Sequence, residues 1–447
     1  MPDIMLPVRS VPILAQCDVL VCGGGPAGVA AAVAAGRHGA SVVLLERWPR
    51  VGGMATTALV NIWHRSDREK IVIRGLAQES VDRLGAEGWL STYGGPEGRH
   101  ETESFDPEGL TLVWHRMLQE AGVRVICYTV AGEPLLDDDS SIMGVLVETK
   151  TGQQAVMARF VIDASGDGDV AAKAGVGFDF GREADDLVQG MTMMYGLCGI
   201  DEAARDAMTQ AQRESIIADM TKRIEEGELP PSKTANPTWY GNRVIPNMCP
   251  VAGNPLDEEE LTELTVLGRE RVFAFLEYWR KTVPGFENAC VEQTGHSLGI
   301  RESRRIHGLK TLTAEMVLGA IKQPDAIGHG VWMIDIHDPE GSGYTTWQDR
   351  NKTNMVPEGQ SYHIPLAMCL NDTVPNLAVA GRCASSTHEG HSSVRVQSHC
   401  IVMGQGVGTL AAMALNAGVG LGEVHVRALQ EALREDGVYL EDVPGGA

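Results

Sequence analysis

Nowhere in this 447-residue chain do two cysteines stand as a Cys-x-x-Cys pair, although the chain holds nine cysteines. The paired motifs of Fe–S clusters, structural zinc and redox dithiols are therefore missing, and no metal site is expected. Most of the cysteines lie in apolar segments (Cys22, Cys127, Cys198, Cys369) and read as reduced core residues. Hydrophobic runs long enough to span a bilayer are also missing. The N-terminus has no basic start followed by an apolar stretch and a small-residue cleavage site, so the cytoplasm is the expected location. Positive charge is scarce: 37 Lys and Arg stand against 59 Asp and Glu, a net charge of −22. The acidic residues are spread along the chain. Their field repels phosphate backbones and anionic lipid, which argues against nucleic-acid and membrane partners. There is no internal repeat and no low-complexity linker.

What is present is the composition of a globular protein, 43% hydrophobic and 21% charged. The length exceeds one ordinary core, so two domains are expected. The most legible stretch is "CDVLVCGGGPAGVAAAVAAGRHGASVVLLER", residues 17–47. It reads strand, Gly-rich turn, Ala-rich helix from about Pro26 to Gly39, then a second buried strand. Gly23-x-Gly25-x-x-Gly28 thus follows a strand and opens a helix, which is the context a dinucleotide fingerprint needs. Gly23 permits the tight turn, Gly25 lets backbone approach a pyrophosphate, and Gly28 lets the helix lie close on the strand. Pro26 and Ala27 start the helix whose N-terminus faces the phosphates. Glu46 ends the second strand, where an acid accepts ribose hydroxyls and disfavours NADP.

Downstream, "MGVLVETKTGQQAVMARFVIDASG" predicts a hairpin turning at Thr151-Gly152, whose second arm runs into a buried strand, 160–164. A strand-rich excursion that returns to a parallel sheet is the layout of glutathione-reductase-type FAD domains. Four further stretches complete a series: "RWPRVGGMAT" (47–56), "VIDASGDGD" (161–169), "GIRESRRIHG" (299–308) and "LAVAGRCASSTHEGHSSVRV" (377–396). With these in order, the chain resembles the FAD-dependent oxidoreductase family, which is itself similar to the succinate dehydrogenase and fumarate reductase flavoproteins. Only about 183–290 matches nothing familiar.

The resemblance implies an α/β protein. A Rossmann-like FAD-binding domain with a parallel sheet and hairpin insertion would comprise 1–182, 291–318 and 370–447. A discontinuous α+β cap would comprise 183–290 and 319–369. It implies FAD contacts from Arg47, Gly53, Met54 and Ala55, from Gly166 and Asp167, and from Gly381 and Arg382 near the pyrophosphate. The helix beginning near Cys400 would aim its N-terminal amides at the flavin's pyrimidine edge, with Gly404, Gln405, Gly406 and Gly408 close to the ring. Where the relatives' anchoring histidine would stand, this chain has Met54, so FAD is expected to be non-covalent.

For catalysis the loop 386–399 offers His388 and His391 for proton transfer near neutral pH and Arg395 for a substrate carboxylate or oxyanion. The resemblance brings Arg301 or Glu302 to the flavin. His64, Tyr362 and His363, and an aromatic set of Trp332, Tyr344 and Trp347, are secondary candidates. The expected activity is hydride transfer from a small organic substrate to FAD. A flavin monooxygenase or oxidase using O2, and an electron-transfer subunit, are the alternatives. The substrate, the electron acceptor and any homo-oligomerisation are left open, since no second G-x-G-x-x-G exists to supply a nicotinamide domain.

Overall fold

The computed structural model describes residues 9–92, 102–232, 237–341 and 354–445; Tyr344 and Trp347 lie outside them. The opening strand, Ile13–Cys22, is fully buried from Val19 to Cys22. On one side it pairs in parallel with Val42–Leu45, which in turn pairs with Arg124–Ile126. On the other it runs parallel to the long strand Gly152–Asp163. That strand folds back antiparallel on Ile142–Thr149, with Gly152 at φ +103° making the turn as expected, and Val130–Leu136 closes this edge. Its last residues pair in parallel with Leu377–Val379. Four parallel strands therefore deliver Cys22, Leu45, Asp163 and Val379 to one edge of the sheet, the edge where α/β folds bind ligands.

Among the described residues the buried apolar side chains form two large cores, beside a small cluster of Leu59, Met194 and Ile245. The larger joins the sheet, the helix Pro26–Arg37 and the C-terminal helices. The smaller lies between Met191 and Leu298, where the 25-residue helix Glu258–Thr282 packs on a four-stranded sheet. Parts of the segment 319–369, expected to join 183–290 in the cap, pack elsewhere, although the His337 carbonyl still accepts the Gly190 amide. Ala326, Ile327, Ile334, Tyr362 and Ile364 are buried in the larger core, because the ribbon of Ala326–Gly330 and Tyr362–Pro365 lies against the helix Gln397–Ala417.

That closing helix corrects two expectations. It is long and apolar enough to cross a membrane by length and composition, although 78% of its most apolar window is buried inside the protein. Its glycines also serve packing and not the flavin. A Cβ on Gly404 would stand 2.0 Å from the Ala27 carbonyl oxygen, and one on Gly408 would stand 2.2 Å from that of Ala31. Two small-residue pairs one turn apart thus let the helices Pro26–Arg37 and Gln397–Ala417 cross at close range. A Cβ on Gly406 would strike Ile327, and the Gln405 side chain accepts the Leu76 amide at 2.9 Å. Gly404→Val should therefore destabilise the fold itself, by about 3 kcal/mol or more, read as a lowered Tm in apoprotein. Had Gly404 faced the cofactor, the same change would leave apoprotein Tm intact.

Candidate active site

A cavity of about 730 Å3 opens at the C-terminal edge of the parallel strands. Its walls include Gly23, Gly25, Pro26, Ala27, Glu46, Arg47, Gly53, Met54, Gly166, Gly381 and Arg382. The sequence motifs that were hundreds of residues apart thus converge. Gly28, Ala55 and Asp167 are buried behind the wall. A Cβ on Gly28 would meet the Gly23 carbonyl oxygen at 1.8 Å, so this glycine sets the contact of helix with turn.

The residues present fit a dinucleotide. Gly23, at φ +108°, must be glycine: a Cβ there would lie 2.5 Å from the Ala164 carbonyl oxygen. Gly25 differs. Its φ of −74° suits any residue, and a Cβ there would meet no protein atom within 4 Å. The space it keeps open is cavity, directly before the uncapped N-terminus of the helix Pro26–Arg37. Glu46 is held in place as its Oε2 accepts the Gly24 amide at 2.8 Å and its Oε1 accepts the Trp48 amide at 2.9 Å. Burial raises its pKa, which suits a carboxyl that gives up water for ribose hydroxyls. Across the cavity, Arg382 donates to Asp167 at 2.6 Å and to Ser303 at 2.7 Å. Burial alone would raise the Asp167 pKa, but Arg382 and Arg47 hold it below the ordinary value. The start of the helix Gln397–Ala417 also faces the cavity through Val396, Gln397 and Cys400, with no side chain capping it.

Beyond these groups the wall changes character. Arg301, Arg395, Asp335, His337, Asn247 and His64 line the same space. Arg301 donates to the Gly190 carbonyl at 2.6 Å and to the Thr192 hydroxyl at 2.8 Å. Arg395 lies 3.7 Å from the Asp335 carboxylate and donates to the Asp335 carbonyl at 3.2 Å. Burial, then repulsion from Arg395, lowers the Arg301 pKa to about 9, and burial also lowers that of Arg395. A guanidinium keeps its charge at neutral pH in proteins. The Arg395 Nε and the Asn247 Oδ1 are buried without a hydrogen-bond partner among the described residues. A buried donor left without an acceptor costs about 1–3 kcal/mol. His337 is 5% exposed, its Nε2 3.4 Å from the Asp335 carboxylate, and the His64 ring stacks on Trp332 at 3.5 Å.

The two histidines singled out in the loop 386–399 stand elsewhere. His388 and His391 do not line the cavity. The His388 Nδ1 lies 2.9 Å from Glu302, a fully buried carboxylate that also receives Arg305 and the Gln189 amide. Burial would raise the Glu302 pKa, but His388, His391 and Arg305 hold it down to about 2. The His391 Nε2 lies 3.0 Å from the Arg301 carbonyl oxygen, and burial lowers its pKa to about 3. It is a neutral donor that fixes the backbone of Arg301. The expectation that these histidines exchange protons with substrate gives way for that reason: both face the 301–305 segment and neither lines the cavity. The loop acts through other members. Ser393 donates to the Trp332 carbonyl at 2.5 Å, and Ser392 accepts the Asp335 amide at 3.0 Å, so the loop holds the segment 332–337 against the cavity. Tyr362 and His363 are buried in the ribbon and away from the cavity wall.

Asp335, His337, Asn247 and Thr192 were not singled out by sequence reasoning. No motif marks them. The one signal was the Asp-x-His spacing of "IDIHD" next to Trp332.

Two curated relatives match part of the chain. Digeranylgeranylglycerophospholipid reductase 1 of Methanopyrus kandleri is 32% identical over 34% of this chain and 40% of its own length. Digeranylgeranylglycerophospholipid reductase 2 of Methanothermobacter thermautotrophicus is 31% identical over 41% of this chain and 47% of its own. The match thus spans less than half of either relative. The fold is shared with a geranylgeranyl bacteriochlorophyll reductase-like protein from Thermoplasma acidophilum, at a TM-score of 0.50 and 12% identity over 94% of this chain and 84% of that one. Residues 18–433 match the model of the FAD dependent oxidoreductases; with the cavity built from that family's motifs, the chain belongs to that family.

Proposed function

We propose that this enzyme oxidises a small organic anion, a carboxylate foremost, bound between Arg301 and Arg395 at the charged end of the FAD cavity. One observation carries the reading: Arg395 is a buried cation whose Nε has no acceptor among the described residues, and it borders a space that a ligand can enter. Two guanidiniums with Asp335 beside them leave an excess of positive charge, which a carboxylate would complete with charge-assisted hydrogen bonds. Asn247 supplies an acceptor for a hydroxyl or amino group on the same molecule.

When bound, FAD supplies a two-electron acceptor for the hydride of a C–H bond. The chain's own residues do the rest. Arg301 and Arg395 fix the anion and hence the orientation of the adjacent carbon. His337 takes the proton that leaves the substrate's O–H or N–H as the hydride departs, and Asp335 stabilises the resulting imidazolium. Trp332 and His64 form a stacked wall that limits water. FAD is held without a covalent bond, since the cavity wall at the family's anchoring position is Met54. The names of the curated relatives point to lipid substrates, while the charged lining of this cavity supports a small polar one.

Binding tests this reading directly. Titration of the holoenzyme with small carboxylates should perturb the flavin absorbance, and Arg395→Ala should weaken that binding by roughly 10–100-fold, the loss of one charge-assisted hydrogen bond of about 1.5–3 kcal/mol. Equal affinity in the two proteins would remove Arg395 from the substrate site.

A further inference from the structure

The cysteines that pack the interior are six: Cys17, Cys22, Cys249, Cys369, Cys383 and Cys400 are buried, and Cys127 is half-buried. The remaining two contradict the expectation that Cys198 is a core residue. Cys198 ends the strand Tyr195–Cys198 and is partly open to solvent; Cys290 begins the strand Cys290–Thr294 and is exposed. The two strands are antiparallel neighbours, and Cys198 and Cys290 are register partners. Their sulfurs lie 3.4 Å apart. Residues directly opposite in an antiparallel pair have Cα atoms about 4.5–5.5 Å apart, inside the roughly 4.4–6.8 Å that a disulfide spans. Side-chain rotation alone can bring these sulfurs to bonding distance.

We propose that Cys198 and Cys290 form a redox-active dithiol, oxidised by a low-molecular-weight disulfide of the glutathione class. The Cys290 thiolate, the more exposed, attacks one sulfur of the small disulfide and expels the other as a thiolate, leaving a mixed disulfide at Cys290. The Cys198 thiolate then attacks the Cys290 sulfur and expels the second small thiolate. Two protein thiols and one small disulfide become one protein disulfide and two small thiols; the two protons lost by the cysteines end on the released thiols. Arg243, on the neighbouring strand, favours the thiolate of Cys198 but is engaged by Glu292 at 2.8 Å. The hydrogen bond to Cys290, burial and Glu292 keep the Cys198 thiol above its ordinary pKa, so oxidation should quicken as pH rises.

The position gives the bond a consequence. The strand of Cys198 is preceded by Thr192 and Met194, and that of Cys290 is followed by Gly299, Ile300 and Arg301, all at the cavity. A disulfide would fix the outer ends of two strands whose inner ends lead into residues lining the substrate space.

The test is peptide mapping of the reduced holoenzyme after incubation with oxidised glutathione, with remaining thiols blocked at low pH. The expected product lacks two free thiols, carries no glutathione and yields a peptide pair joining Cys198 to Cys290; dithiothreitol restores both thiols. Cys198→Ser should instead accumulate glutathione stably at Cys290. Wild-type protein that keeps all its thiols, that retains glutathione at Cys290, or that links Cys127 in place of this pair would overturn the proposal. None of these readouts depends on the substrate, so its failure leaves the functional reading untouched.

Discussion

Gly25→Val should give a folded protein that does not hold FAD. Both parts of that expectation come from one position. The backbone at Gly25 has φ −74°, which valine adopts without strain, and a Cβ placed there would meet no protein atom within 4 Å. It would project into the cavity just before the N-terminus of the helix Pro26–Arg37, where a pyrophosphate is held by backbone amides. The penalty therefore falls on the ligand and not on the fold. The variant should emerge from purification colourless, with the Tm of wild-type apoprotein. It should lack the rise that bound FAD gives the wild type, about 2.7 kcal/mol when FAD stands at a hundred times its Kd. Gly23→Val would not separate the two effects, since its side chain meets Ala164 at once. A yellow Gly25→Val protein would place the cofactor elsewhere.

His337→Asn should retain FAD and lose kcat by roughly 10²–10⁴-fold, the range for removal of a positioned acid–base group. The imidazole borders the cavity, lies 3.4 Å from a carboxylate that can balance its charge, and shares its loop with the partner of Arg395. Asparagine keeps a polar side chain of similar reach without a group that titrates near neutrality. The companion variant is His64→Asn, since His64 also borders the cavity. If the large loss belongs to His64 and His337→Asn turns over normally, the roles are exchanged. His388→Ala provides a contrast: by freeing the buried Glu302 carboxylate it should disturb the 301–305 segment and lower Tm.

The parts of the account that were legible in the sequence are those in which backbone geometry dictates residue type over a short span. Gly23, Gly25 and Gly28 each answer to a different backbone demand, and Thr151-Gly152 marks its hairpin because the turn needs a positive φ. Arg301, Arg382 and Met54, which the resemblance to FAD-dependent oxidoreductases implied, line the cavity. The failures share a cause. Gly404 and Gly406 look the same whether a flavin or another helix lies against them, and only the opposing Ala27 and Ile327 decide. His388 and His391 sit in the right loop, but a short helix, 388–394, turns them towards Glu302 and Arg301 while Arg395, just beyond its end, reaches the cavity. Residues 319–369 read as cap because they are irregular; Ala326, Ile327, Ile334, Tyr362 and Ile364 are buried through contacts distant in sequence. His337 and Asn247 come from segments with no motif, and only folding brings them together.

The most direct measurement is anaerobic mixing of the purified yellow holoenzyme with a panel of small carboxylic acids bearing an α-hydroxyl or α-amino group, alongside their methyl esters. The account predicts that at least one acid bleaches the flavin with no other protein added, that its ester does so far more slowly, and that Arg395→Ala erases the difference. Rapid bleaching by a reduced nicotinamide, with no bleaching by any acid, would contradict it, since the electrons would then flow towards the substrate and not from it.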